Sequence, residues 1–112
     1  SPESGWTAVG TLLASRLKFT ALFCANDEMA VGAIARLQEA GIAVPDTVSV
    51  MGYDDTPTAE YSAPRLTSVH VPWREVTLSA LNWLLNQCYG GTRPVKRKLP
   101  VSMSWRSSVV KV

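Results

Sequence analysis

The sequence predicts an α/β fold with three layers, in which helices cover both faces of a mostly parallel β-sheet. Two observations support this prediction. Short apolar runs alternate with segments of helical periodicity, which is the pattern of consecutive βαβ units. The 112 residues are 46% hydrophobic and 18% charged, a composition that sustains one hydrophobic core. Three buried strands and an edge strand are few for a complete sheet of this kind, so we expect further strands to precede this chain.

The first part of the chain predicts a helix, a strand and a second helix. Residues 4–16 place apolar side chains at helical spacing behind Pro2. Residues 19–25 form a short apolar run that is typical of a buried strand. Asn26 is a favourable N-cap for the next helix, and Gly41 is typical of the position just after a helix C-terminus. The expected inward-facing side chains of this helix are Met29, Ala30, Ala33, Ile34 and Leu37.

The rest of the chain continues this alternation. Residues 48–53 read as a second apolar strand, and a short helical turn follows at residues 59–61. Residues 66–71 predict a third strand, which ends at a proline. Residues 73–89 predict a long helix that two glycines terminate, and residues 99–105 alternate apolar and polar side chains like an edge strand.

The distribution of charge and the two cysteines argue against several classes of function. Residues 1–60 carry eight acidic and three basic side chains, whereas residues 61–112 carry eight basic and one acidic. The tightest basic cluster, residues 93–98, lacks an aromatic side chain for base stacking, so we interpret it as a solvated loop rather than a nucleic-acid surface. Cys24 and Cys88 support neither a disulfide framework nor a zinc site and favour a reducing compartment. No apolar run reaches the roughly 18 residues of a membrane span, so we expect no membrane anchor.

Polar and aromatic side chains follow the predicted strands at their carboxyl ends. Asn26 follows the first strand, Tyr53 and Asp54 end the second, and Trp73 comes shortly after the third. Because ligands of open parallel sheets bind beyond the carboxyl ends of the strands, we expect these side chains to share one rim. An amide, a carboxylate and an aromatic face suit a small polyhydroxylated ligand such as a sugar.

Each of these side chains also has a purely structural interpretation, which the sequence leaves open. Asn26 is an N-cap by position, and Asp54 could cap the turn before Pro57. Trp73 at the start of a helix and Tyr53 in an alternating strand could both be packing residues. The burial and the hydrogen bonds of these side chains distinguish the structural interpretation from the ligand-binding one.

Catalytic interpretations have less support. Asp55 is expected to cap the turn locally, because adjacent residues point in different directions. The pair Asp54-Asp55 could hold Mg²⁺ for phosphoryl transfer, but no third carboxylate stands at a comparable strand end. His70, the single histidine, lies in a strand without a recognisable Ser-His-Asp spacing, and the sequence has no phosphate-binding glycine loop. We therefore expect a protein that is not an enzyme and needs no cofactor.

Four segments of the sequence resemble one known family. They are residues 25–33 (ANDEMAVGA), 41–46 (GIAVPD), 48–55 (VSVMGYDD) and 64–69 (PRLTSV). In this order they closely resemble the lactose/galactose-repressor (LacI/GalR) family of bacterial transcription regulators, and the similarity covers nearly the whole chain. The resemblance implies that residues 1–112 are the C-terminal portion of the effector-binding and dimerisation domain, with the fold of type I periplasmic sugar-binding proteins.

The resemblance also implies which residues contact the effector. Asn26 and Asp54 match family positions that hydrogen-bond a sugar or another small molecule. Val71 falls where many members have a polar or aromatic contact. Because Val71 is aliphatic, we expect the third contact at Trp73 instead.

Finally, the resemblance implies partners. Val31, Tyr61 and Ser62 resemble the subunit contact of the family homodimer. The family implies an N-terminal helix-turn-helix headpiece that reads operator DNA, and we expect this chain, which lacks it, not to bind DNA specifically. Effector binding in the family changes the headpiece geometry, which is allosteric control. We thus expect part of a cytoplasmic bacterial repressor; the alternative is a periplasmic sugar-binding protein of the same fold.

Overall fold

The computed structural model describes residues 1–110 and has the alternating α/β order that the sequence predicts. Its helices are α1 (Pro2–Ala14), α2 (Asp27–Glu39), α3 (Pro57–Tyr61) and α4 (Trp73–Tyr89), and its strands are β1 (Ala21–Phe23), β2 (Ser49–Asp54), β3 (Thr67–His70) and β4 (Ser102–Ser104). The strand order is β1-β2-β3-β4, and the β1–β2 and β2–β3 pairs are parallel. The α/β class with a mostly parallel sheet is therefore confirmed.

The chain divides into two compact units. The first comprises Ser1–His70 together with the C-terminal segment from Met103, and the second comprises Val71–Ser102. The first unit holds strands β1 to β3, whereas the second is built around α4. Within residues 1–110, none of the helices is long and apolar enough to cross a membrane.

The hydrophobic core lies in the first unit, where α2 packs against the sheet. Four of the five side chains predicted to face inward from α2 are buried, and Met29 is half-buried. Asn26 caps α2 as predicted, and Gly41 follows the C-cap residue with a positive φ of 72°, which glycine adopts without strain. The buried apolar cluster consists of Val9, Ala30, Ala33, Ile34, Leu37, Val48, Val50, Ala59 and Leu66.

Helices α1 and α2 are in backbone contact through two glycines. A Cβ atom on Gly5 would collide with the carbonyl group of Met29, and one on Gly32 would collide with the carbonyl group of Pro2. Side chains cannot separate the helices at these two points, so α1 lies directly on α2. This contact fixes the position of the helix that Asn26 caps.

Some boundaries differ from the predictions. Helix α1 begins at Pro2, because proline suits the first helical position, and it ends before Arg16, whose φ is +57°. Strand β1 has three residues rather than seven, and Phe23 is 61% exposed. The prediction of a buried strand is wrong here, since β1 lies at an edge of the sheet and two of its three residues are exposed.

Candidate functional site

Strands β1 and β2 run parallel, and β2 extends three residues beyond the end of β1. Phe23 is aligned with Met51 in the parallel pairing. Asn26 lies three residues beyond Phe23, and Asp54 lies three residues beyond Met51. Asp54 is in turn aligned with His70 of β3. The two polar side chains that the sequence singled out therefore follow neighbouring parallel strands, with Asp54 at the end of β2 and Asn26 three residues after the end of β1.

Asn26 is half-buried and its side chain has a structural role. Its Oδ1 accepts a hydrogen bond from the backbone N–H of Met29 at 2.9 Å, which is the N-cap bond of α2. Among the described residues, the Nδ2 group has no hydrogen-bond acceptor. The cap interpretation is therefore confirmed, and one face of the amide is still available to donate to a ligand.

The turn after β2 has an unusual backbone. Asp54 has φ +100° and Asp55 has φ +54°, a region that costs non-glycine residues about 1–3 kcal/mol each. Two backbone N–H groups of this turn are held by side chains. The N–H of Asp55 donates to Ser68 Oγ at 3.1 Å, and the N–H of Thr56 donates to Asp27 Oδ2 at 2.6 Å.

Asp27 is fully buried, and its carboxylate binds the turn that follows β2. Its carboxylate accepts hydrogen bonds from the backbone N–H and the hydroxyl of Thr56 and from the hydroxyl of Ser68. A Cβ atom on Gly52 would collide with Asp27 Oδ1, so the glycine makes room for the carboxylate. Asp27 also lies in the first turn of α2, where an acidic side chain is favourable, and the glycine within β2 was the signal in the sequence for this close approach.

Asp55 is the centre of a second polar cluster. Its side chain is 11% exposed, its Oδ1 accepts a 2.7 Å bond from Arg106 Nη2, and its Oδ2 accepts a 2.7 Å bond from Ser104 Oγ. His70 Nδ1 lies 2.9 Å from Oδ2. The expectation that Asp55 caps its own turn is wrong, because these partners come from β3 and the C-terminal segment.

The electrostatics of Asp55 follow from this cluster. Burial raises the pKa of the Asp55 carboxyl, but hydrogen bonds from Ser104, Arg106 and His70 and the positive charge of Arg106 outweigh burial, so the pKa lies below its ordinary value. Both carboxylate oxygens are engaged by donors from the protein. Within residues 1–110, no group of three or more His, Cys, Asp or Glu side chains is arranged to hold a metal ion.

The C-terminal segment is bonded to both central strands. Ser108 is fully buried, and its hydroxyl accepts from the N–H of Thr67 at 2.8 Å and donates to the carbonyl of Val50 at 2.6 Å. Arg106 Nη1 donates to the carbonyl of Leu66 at 2.8 Å. Arg106 is therefore anchored beside Asp55 by the same segment that bridges β2 and β3.

The two aromatic residues predicted to contact a ligand, Tyr53 and Trp73, belong to different units of the chain. Tyr53 lies in β2 and is half-buried. Trp73 is the first residue of α4, in the second unit, and is 54% exposed, whereas Val71 is buried. The solvent-exposed face of Trp73 is compatible with a ligand contact, and its role stays a prediction.

The residues predicted at a subunit contact lie on α2 and around α3. Val31 is half-buried on α2. Tyr61 ends α3 and is 80% exposed. The Ser62 hydroxyl is 2.9 Å from the carbonyl of Pro64, so this side chain has a local hydrogen bond. These three residues also stay predictions.

The second unit contains the basic loop. Residues 90–101 have no helix or strand, which agrees with the loop predicted at residues 93–98, whereas the strand predicted at residues 99–105 is limited to β4. Asn86 Nδ2 donates to the carbonyl of Arg93, and the N–H of Lys96 donates to Ser79 Oγ. Lys96 Nζ pairs with Glu75 at 3.1 Å. The loop is therefore tied back to α4 by its backbone.

Comparison with known proteins identifies the family. The model of the periplasmic binding protein-like domain matches residues 2–109. The chain belongs to this family. A relative named HTH-type transcriptional repressor PurR, from Erwinia tasmaniensis, is 44% identical over 86 residues, which are 77% of this chain and 25% of that protein.

Solved structures narrow the family to LacI-type regulators. A LacI-family regulator from Burkholderia phymatum is 55% identical with a TM-score of 0.90, over 99% of this chain and 40% of that one. A sugar-binding LacI-family regulator from Escherichia coli, solved with phosphate, is 37% identical with a TM-score of 0.89, over 98% of this chain and 40% of that one. The LacI/GalR resemblance is thus confirmed. The LacI-family chain described here spans about a quarter of the length of the curated relative.

Proposed function

We propose that this chain is the effector-binding and dimerisation part of a bacterial LacI/GalR-type repressor, and that it binds a sugar or sugar-like molecule. One observation carries the proposal: Asn26 and Asp54 lie at the carboxyl ends of two adjacent parallel strands, β1 and β2. This is where open parallel sheets bind their ligands. In the whole regulator, a helix-turn-helix headpiece outside this chain binds operator DNA in the cytoplasm.

The chemistry of the two side chains favours a neutral polyol. The Asp54 carboxylate accepts hydrogen bonds from hydroxyl groups, and the Nδ2 group of Asn26 donates to a hydroxyl or ring oxygen. Trp73 and Tyr53 offer apolar ring faces for the C–H face of a sugar. A negative charge at Asp54 disfavours a phosphorylated ligand through like-charge repulsion.

The protein binds its effector without converting it. The relatives reported above are named as regulators. His70 contacts Asp55, and both oxygens of Asp55 accept hydrogen bonds from protein donors. These contacts argue against the Mg²⁺-dependent use of Asp54 and Asp55. A periplasmic sugar-binding protein would share the fold, but the names of the relatives favour the repressor.

The regulator acts as a homodimer through Val31, Tyr61 and Ser62. The large exposed ring of Tyr61 supports this part of the proposal, because a partner subunit would remove its apolar surface from water. A two-fold dimer also matches the symmetry with which helix-turn-helix proteins read operators.

A thermal-shift panel on the whole regulator tests the effector class. The compounds are glucose, galactose, ribose, sucrose, cellobiose and lactose, with adenine and glucose 6-phosphate as members of other classes. A sugar should raise the melting temperature by mass action in the wild type and in Asp46→Ala, which removes an exposed acid from the loop before β2. The shift should vanish in Asp54→Ala. A shift from adenine or the sugar phosphate alone would contradict the sugar, and a sugar shift that survives Asp54→Ala would contradict the site.

A further inference from the structure

The two proposed effector residues are joined by a third side chain, that of Asp27. Asp27 directly follows Asn26, and its carboxylate reaches Thr56, two residues after Asp54. The distances are 2.6 Å to the backbone N–H of Thr56 and 2.9 Å to its hydroxyl. One buried carboxylate therefore connects the start of α2, which follows β1, with the turn that follows β2.

The same carboxylate acts on the turn through Ser68. The Ser68 hydroxyl donates to Asp27 Oδ1 and accepts from the backbone N–H of Asp55 at 3.1 Å. The two backbone N–H groups that follow Asp54 are thus fixed by Asp27, one directly and one through Ser68. They belong to the turn in which Asp54 and Asp55 have left-handed φ angles.

Burial of Asp27 is costly for a residue with only a packing role. A fully buried carboxylate loses its hydration, and its three hydrogen bonds here come from neutral donors. The first turn of α2 adds a favourable dipole. Gly52 has no side chain at the point where Asp27 Oδ1 approaches β2. The burial of the carboxylate and the glycine at position 52 are both explained if the carboxylate is needed to hold the strained turn in one conformation.

We infer that Asp27 is a positioning residue of the effector site, which holds residues 54–56 in the conformation that presents Asp54 to the effector. The inference rests on the proposed function. If the turn relaxes, the competent conformation becomes a fraction of the population, and the apparent affinity falls by that fraction. Asp27 then sets affinity without touching the effector.

Asp27→Asn is the direct test. The replacement puts an NH₂ group where one carboxylate oxygen accepts, so either Thr56 or Ser68 loses its acceptor. Loss of one charge-assisted hydrogen bond predicts an affinity about tenfold weaker. Ser68→Ala, which removes only a hydroxyl, should weaken affinity in the same direction. Glu28→Gln is the matched control, because it removes an exposed acid from the same helical turn.

The measurement is isothermal titration of the whole regulator with the sugar that gives the largest shift in the six-sugar panel. Hydrogen exchange of the Asp55 and Thr56 amides is measured on the same samples, well below their melting temperatures. We expect weaker sugar binding and faster exchange in Asp27→Asn and Ser68→Ala, and wild-type behaviour in Glu28→Gln.

The outcomes separate this inference from the proposed function. If Asp27→Asn and Ser68→Ala bind the sugar with wild-type affinity while Asp54→Ala does not bind, the inference is wrong and the proposed function stands. A lower melting temperature with unchanged affinity would show a structural role only and also overturn it. If the wild type binds none of the six sugars, the sugar proposal and the inference built on it fail together.

Discussion

Replacing Arg106 with methionine removes the cation beside Asp55 and keeps most of the side chain's length and apolar volume. Two hydrogen bonds are lost: Nη2 to Asp55 Oδ1 at 2.7 Å and Nη1 to the carbonyl of Leu66 at 2.8 Å. The side chains of Asp55 and Arg106 are 11% and 19% exposed, so solvent replaces little of this interaction. Asp55 retains Ser104 and His70 as partners.

The expected loss of stability follows from these contacts. Hydrogen bonds to charged groups contribute about 1.5–3 kcal/mol each, and breaking a buried ion pair costs about 3–5 kcal/mol. Because Asp55 keeps two of its three partners, we expect Arg106→Met to lower the free energy of unfolding by about 2–4 kcal/mol. Arg65→Met, at an exposed arginine in the loop before β3, should change it by less than about 0.5 kcal/mol.

Urea denaturation of the whole regulator, followed by circular dichroism at neutral pH, measures both variants. We expect a lower urea midpoint for Arg106→Met and a wild-type midpoint for Arg65→Met. If the two variants unfold at the same urea concentration, the Asp55–Arg106 pair contributes nothing net and the account of this cluster is refuted.

Three further predictions concern the pH dependence of the Asp55–Arg106 contact, the packing of α1 on α2 and the dimer. Folding lowers the pKa of the Asp55 carboxyl, so its ionised form stabilises the folded protein above the unfolded-state pKa of about 3.9. This stabilisation is lost as the pH falls through the folded-state pKa. The difference in free energy of unfolding between wild type and Arg106→Met should therefore narrow below about pH 4 in urea titrations. Gly32→Val should push α1 away at Pro2 and cost about 2 kcal/mol or more, seen as a lower urea midpoint; an unchanged midpoint would exclude the close packing. Tyr61→Glu should shift the regulator from dimer to monomer in sedimentation equilibrium with an unchanged circular dichroism spectrum, and a persistent dimer would place the interface elsewhere.

Local patterns in the sequence predicted the elements well. Asn26 as an N-cap, Gly41 beyond the C-cap and the apolar stripe of α2 all depend on residues within a few positions of each other, and such interactions are encoded locally. The bounds of residues 73–89 also agree with α4. The length and burial of residues 19–25 were wrong, because exposure of β1 depends on which strands flank it in the sheet.

The candidate site was predicted only in part. The placement of Asn26 and Asp54 at the carboxyl ends of adjacent strands follows from the parallel pairing, which the alternation of helices and strands already implied. The roles of Asp27 and Asp55 were missed, because their partners lie 15 to 51 residues away along the chain. Periodicity carries no information on hydrogen bonds at that distance.

The most direct test of the central claim is the dissociation constant of the best panel sugar, measured by isothermal titration for the whole regulator, Asp54→Asn and Asp46→Asn. The two variants lose the same charge, one at the carboxyl end of β2 and the other in the loop that precedes this strand. We expect Asp46→Asn to bind the sugar like the wild type and Asp54→Asn to bind it at least about tenfold more weakly, because a charge-assisted hydrogen bond to the sugar is lost. Equal dissociation constants for all three proteins would contradict the proposed contact between Asp54 and the sugar.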